Sequence, residues 1–287
     1  GARLQSDVER TAIEPIVTQH LRRLPQSHNF CMCSGVVSID GGIATSARII
    51  TFNQQLRLSN ASGFFFERDE RLYLVTSRHV LCDQPSQHFP DRIEIELHTN
   101  SENIARSTGF SMPLYQDGLQ VWHQGSDMAG DIDVAVIEIN RAALPTTAVY
   151  RAFTPQHLPK PGEPVELGSS LLVVGFPLNF HDTLHHMPVV RQAIVASSFG
   201  LRFNGQGYFL TDARTHRGSS GAPVVMRVAN SDQVLGDLPW MLLGVHSSRL
   251  DVGTRDLILD EALGLNCAWY ADILLTLTQT PSRCAPS

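Results

Sequence analysis

The sequence predicts a mainly β protein: two packed antiparallel β units, barrels or sandwiches, with helices at the N- and C-terminal ends. Two observations carry this. Short apolar runs rich in β-branched and aromatic residues recur between turn residues on both sides of a proline-bearing connector. Helical spacing of apolar residues is confined to the two ends of the chain. Two strand-rich halves of similar length joined by a linker suggest two layers around buried cores.

Taken in order, residues 1–34 read as a helical extension. Leu4, Val8, Ile13, Ile16, Val17, Leu21 and Leu24 fall near helical spacing, and Pro15 is a kink or a first-turn residue. This helix packs on the main body or offers an interaction surface. The first β unit spans 35–145, with strands expected at 48–52, 63–66, 72–76, 93–97 and 134–139. The linker, 146–165, holds the turn-prone Pro159-Lys160-Pro161-Gly162. The second β unit spans 166–265, with strands expected at 171–174, 189–197, 208–211, 222–226 and 240–245, and an extended hairpin over 227–239. Residues 266–287 are a C-terminal helix and tail, the helix running over 269–278.

Composition removes several function classes. The chain has 287 residues, 43% apolar and 17% charged, which is a folded rather than a disordered balance. With 22 basic against 28 acidic residues the net charge is −6, so no broad basic surface exists for nucleic acid. No apolar stretch approaches the roughly 20 residues of a membrane helix. The five cysteines, Cys31, Cys33, Cys82, Cys267 and Cys284, are odd in number and scattered, which does not describe a disulfide framework. The opening Gly1-Ala2-Arg3-Leu4-Gln5 does not read as a secretory signal. Both points lean towards a reducing, cytoplasmic setting.

Three motifs carry chemistry. In Gly218-Ser219-Ser220-Gly221-Ala222-Pro223 a serine sits on a tight glycine-flanked loop before an apolar strand. Glycines allow the unusual dihedrals that let a nucleophile project while backbone N–H groups converge on an oxyanion. Taken singly, this is also the pattern of a surface turn. In Val75-Thr76-Ser77-Arg78-His79 a histidine closes a buried-looking strand, and in Asp131-Ile132-Asp133-Val134-Ala135 an acidic pair leads into an apolar one. Each of these alone is an ordinary structural feature. Together they supply what a serine hydroxyl needs, a base to take its proton and a carboxylate to orient that base. By alternation Asp131 and Asp133 share a face, so either could orient.

This constellation resembles the chymotrypsin-fold serine peptidases, and in particular bacterial trypsin-like peptidase domains. The likeness runs from about Gly63 to Leu250. It rests on Ser62-Gly63-Phe64-Phe65-Phe66 leading to Thr76-Ser77-Arg78-His79-Val80, then Asp133-Val134-Ala135-Val136, Val173-Val174-Gly175-Phe176-Pro177 and the Ser220 loop. The resemblance implies two packed antiparallel β-barrels with a site in the cleft between them. It implies His79, Asp133 and Ser220 as base, orienter and nucleophile, and the Gly218 and Ser220 N–H groups as the oxyanion hole. The choice of Asp133 over Asp131 follows the family's spacing of the aspartate two residues before a small one. The expected reaction is hydrolysis of a polypeptide through an acyl-enzyme, with no cofactor.

Peptidases of this fold that cut after Glu or Gln carry a threonine five residues before the nucleophile and a histidine on the pocket strand. Thr215 and His246 match those positions, with Ser247, Arg214 and Arg249 as further pocket candidates. A hydroxyl and an imidazole can donate to an acidic or amide side chain. The alternatives are a non-catalytic binding module on the same fold and an esterase. The common esterase elbow, however, requires Gly-x-Ser-x-Gly, and Ala222 stands at plus two. His181, His185, His186 and the Cys31/Cys33 pair do not combine into zinc-ligand spacing, so no metal is expected.

Overall fold

The protein, described by a computed structural model over residues 43–228, 238–247 and 264–279, contains fifteen strands. The expected N-terminal helical extension, Arg249 and most of the 227–239 stretch lie outside those residues. In chain order the strands are β1 (Ser46–Asn53), β2 (Leu56–Arg68), β3 (Arg71–Thr76), β4 (Arg92–His98), β5 (Ser107–Pro113), β6 (Tyr115–Gln116), β7 (Leu119–Gln120), β8 (Trp122–Asp127) and β9 (Gly130–Ile139). After the linker come β10 (Ser170–Gly175), β11 (Val189–Ile194), β12 (Tyr208–Thr211), β13 (Pro223–Arg227), β14 (Trp240–Ser247) and β15 (Asn266–Tyr270). Two short α-helices are described, α1 (Arg78–Leu81) and α2 (Ile273–Leu277). Neither is long and apolar enough to cross a membrane.

Two large antiparallel sheets and a two-stranded ribbon, β6-β7, result. The first has seven strands in the order β5-β4-β1-β2-β3-β9-β8, the second six in the order β11-β10-β13-β14-β15-β12. Each sheet brings its own edges together. Val121 N–H, just before β8, donates to the carbonyl of Leu114, just after β5, at 3.0 Å. In the second sheet Val195 and Thr211 bridge the ends of β11 and β12. Edge closure of this kind satisfies backbone groups that would otherwise stand unpaired.

The strands are apolar on both faces because both faces are covered, and alternation sorts their side chains into three cores. From β2, β3 and β9, Phe65, Leu72, Leu74, Ala135 and Ile137 fill the first barrel. Their neighbours Phe64, Phe66, Tyr73, Val75, Val134 and Val136 point the other way. There they meet Val174, Tyr208, Leu210, Leu242 and Trp269 of the second sheet. Phe209, Leu243 and Ala268 fill the second barrel in turn. The linker is strapped onto this middle layer: Phe153 exchanges backbone hydrogen bonds with Phe65 and Glu67 at 2.9 and 2.7 Å, and its ring packs edge-on against Phe64.

Every strand expected from the sequence is present, and the structure adds β5 to β8 and β15. The C-terminal expectation needs correcting. Residues 266–270 are a strand of the second sheet, paired with both β12 and β14, and the helix is the single turn and a half of α2. Cys267 and Trp269 face the middle layer while Ala268 faces the barrel, a period of two that the apolar run Cys267-Ala268-Trp269 conceals.

Phe64 is fully buried at the junction of both sheets and the linker. Phe64→Ala is expected to lower the unfolding free energy by about 3–5 kcal/mol, whereas truncating the exposed Leu201 to Ala changes it by under about 0.5 kcal/mol. Denaturant titration of the two variants measures the contrast.

Candidate active site

The site is assembled from the ends of β3, β9 and β14 and the loop before β13. Val80 and Leu81 are buried in the first-barrel core, so the turn α1 that follows β3 is anchored with His79 half-buried beside it. Ser77 occupies the N-cap position of that turn but does not cap it. The task falls to Asp133 of β9, whose Oδ1 accepts the His79 backbone N–H at 2.9 Å. Its other oxygen, Oδ2, lies 2.7 Å from His79 Nδ1. One carboxylate thus fixes both the main chain and the ring of His79. A carboxylate can only accept, so Nδ1 carries the proton and Nε2 is the basic nitrogen.

Asp133 is itself held. The Ser247 hydroxyl donates to Oδ2 at 2.9 Å. Burial pushes the Asp133 carboxyl up, but attraction to the His79 ring and hydrogen bonds from His79 and Ser247 outweigh it, leaving the pKa below the ordinary carboxylate value. Asp131, the alternative that alternation leaves open, is exposed and pairs with Arg78 at 3.7 Å.

Ser220 comes from the second barrel, and its loop is tied to the first through shared partners. The carbonyl of His246 accepts the Gly221 N–H at 2.8 Å and the Ser77 hydroxyl at 3.2 Å. Ser77 lies two residues before His79, and Gly221 one after Ser220, so a single oxygen anchors both segments. The Ser220 carbonyl accepts the Ser62 N–H at 2.9 Å, and the Ser62 carbonyl accepts the Thr76 hydroxyl at 2.8 Å. Gly221 (φ +84°) passes so close that a Cβ would collide with Ser62 O and Thr76 Oγ1. Glycine is required there for both conformation and space.

The carbonyls of the loop are all engaged. Arg217 O accepts from Leu178 N–H, Gly218 O from the Ser62 hydroxyl at 2.7 Å, Ser219 O from Ala222 N–H at 3.0 Å, and Ser220 O from Ser62. In a trans peptide the N–H points opposite its carbonyl. The Gly218 and Ser220 N–H groups therefore project away from the donors holding Arg217 O and Ser219 O.

The pocket candidates behave differently from one another. The Ser247 hydroxyl is turned onto Asp133 and steadies that carboxylate. Thr215 is half-buried and donates to Asn266 Oδ1 at 3.0 Å, while Asn266 Nδ2 donates to Ala213 O. Arg214 is exposed. His246 is fully buried, and neither ring nitrogen has a hydrogen-bond partner among the described residues. Burial, with a smaller push from His79, lowers its pKa to about 3, so the ring is neutral. Sequence reasoning gave no role to the Ser77 hydroxyl or the Ser62 side chain; the available signal was a hydroxyl in an otherwise apolar, strand-forming run. Among the described residues no group of three or more His, Cys, Asp or Glu is placed to hold a metal, and neither Cys82 nor Cys267 is in a disulfide.

A histidine whose folded pKa is pushed down is kept neutral by the fold. Between about 3 and the unfolded value of ~6.5 the unfolded chain holds the extra proton, so stability falls as the pH drops through that window. The stability of the wild type is expected to decline from pH 6.5 to 4 more steeply than that of His246→Gln, by about 1 kcal/mol per pH unit. Equal slopes in denaturant titrations at stepped pH would contradict a buried neutral ring.

Residues 61–234 match the family model of the trypsin-like peptidase domain, more than half of the chain. Among curated proteins nothing matches. Among solved structures, the crystal structure of the serine endoprotease from Yersinia pestis aligns at a TM-score of 0.48 and 15% identity, over 82% of this chain and 62% of that one. The chain thus spans less than two thirds of that protein.

Proposed function

This chain belongs to the trypsin-like peptidase domain family, and from that premise we propose that it is a serine endopeptidase acting through an acyl-enzyme. The observation that supports the proposal is the 2.7 Å contact of Asp133 Oδ2 with His79 Nδ1, which leaves Nε2 as the basic nitrogen of the ring; in this reading Nε2 serves Ser220. Ser220 Oγ attacks the carbonyl carbon of the scissile peptide while its proton passes to His79 Nε2. The developing oxyanion is received by the Gly218 and Ser220 N–H groups. His79 then gives that proton to the departing amine as the C–N bond breaks, leaving an ester on Ser220. Water, deprotonated by the same nitrogen, attacks the ester and releases the acid. Asp133 holds the tautomer throughout and offsets the imidazolium charge.

The residue preceding the cut is Glu or Gln in this reading. Support comes from His246, a neutral imidazole with a donor and an acceptor nitrogen both unpartnered among the described residues; the Thr215 hydroxyl, which donates to Asn266, would have to turn to join it. Arg214 stands exposed one residue away and adds positive charge.

Fluorophosphonate labelling of the wild type is expected, and its loss in Ser220→Ala. Asp133→Asn should lower kcat by about 10,000-fold with the fold intact, because an amide leaves the wrong ring tautomer. Unreactive wild-type protein would instead favour a binding module, and turnover of esters without casein an esterase. In a peptide panel varied only before the cleaved bond, Glu or Gln should dominate; preference for Arg, Lys or Phe would refute the pocket reading.

A further inference from the structure

We infer that Ser62 is a positioning residue for the oxyanion-binding N–H groups, an inference that rests on the peptidase reading above. Ser62 lies on β2, in the other barrel from the loop it serves, and is fully buried. Its oxygen stands between two segments of the second barrel. It donates to Gly218 O at 2.7 Å and accepts the Phe176 N–H at 2.9 Å. Its backbone N–H holds Ser220 O at 2.9 Å. Ser62 therefore grips the carbonyls on either side of Ser219.

The Phe176 bond gives that grip its consequence. Two residues beyond Phe176, the Leu178 N–H holds Arg217 O, the carbonyl whose peptide bears the Gly218 N–H. Leu178 reaches it in a left-handed conformation, φ +51°, which a leucine side chain disfavours. Gly218, at φ +95°, can rotate freely once its neighbours let go. Turning the 217–218 peptide over would withdraw an oxyanion donor and present a carbonyl in its place. The Ser62 hydroxyl opposes that turn from both sides: it fixes the following peptide through Gly218 O, and it fixes the segment that pins the preceding one through Phe176. A Cβ at Gly175 would lie 2.6 Å from the same oxygen, so the second barrel leaves room for it.

The cavity lined by His157, Lys160, Trp240 and Met241 is bounded by Val228 and Leu238, next to residues that are not described. The His181–His186 ring stack shows no ligand geometry.

The decisive comparison is Ser62→Ala against the wild type, with thermal melting run alongside. Expected are a kcat lower by about 10- to 100-fold with KM within about twofold, and matching weakening of a peptide boronate, whose tetrahedral adduct occupies the oxyanion hole. Binding of the product from the C-terminal side of the cut, which carries a new amine and no carboxylate, should be unchanged. Should Ser62→Ala fail to fold, Ser62→Cys keeps the volume with a weak donor and should show the same kcat-selective loss. Unchanged kcat in a folded variant overturns the inference, as does an equal loss in product and boronate affinity. Failure of both variants to fold overturns it too, since the residue would then be structural. If the wild type neither labels with fluorophosphonate nor cleaves peptide, it is the peptidase reading that fails.

Discussion

The close approach of the two barrels at Gly221 is the constraint on which the site depends. No side chain fits there, and the backbone passes within reach of Ser62, Thr76 and Ser77 at once. That proximity lets a few main-chain oxygens serve both halves. His246 O receives Ser77 from one barrel and Gly221 from the other, and Ser220 O receives Ser62. The apolar layer behind it, Phe64, Val75, Val134, Val174, Leu242 and Trp269 among its members, supplies the cohesion, while these hydrogen bonds supply the register. Hydrophobic burial is non-directional and would tolerate sliding; buried polar groups that lose partners on sliding do not.

Much of this was legible in the sequence, for a physical reason. Strands buried on both faces are nearly continuous apolar runs, so 72–76 and 134–139 declare themselves without any knowledge of the fold. Strands with one small buried patch do not. In β5 Met112 is the buried residue, with Phe110 packed half-buried beside the same core, and in β8 it is Trp122; one or two apolar residues among polar ones are too sparse a pattern to read. β15 was misread because a five-residue apolar run suits either a strand or a helix, and only its two partners decide.

The candidate site shows the same division. His79, Asp133 and Ser220 stand out because their chemistry is marked by residue type and by glycines. The choice between Asp131 and Asp133 was not decidable from alternation, since both lie on one face; it turns on reach, and Asp131 goes to Arg78 instead. The Ser247 hydroxyl is chemically fit for a substrate or a carboxylate, and residue type alone does not tell which; in the fold it donates to Asp133. Thr215 is tethered to Asn266, a residue 51 positions away that no local pattern links to it.

The fully buried His246 shows how one strand position can serve two ends. Its carbonyl joins the barrels, and its ring sits neutral in a site too dry to protonate it. The division of the site between barrels also has a meaning for biosynthesis. The segment bearing His79 and Asp133 leaves the ribosome well before β14, whose carbonyl couples it to the serine loop. A nascent chain therefore holds these groups as separate segments, and they are brought together only once β14 has been made.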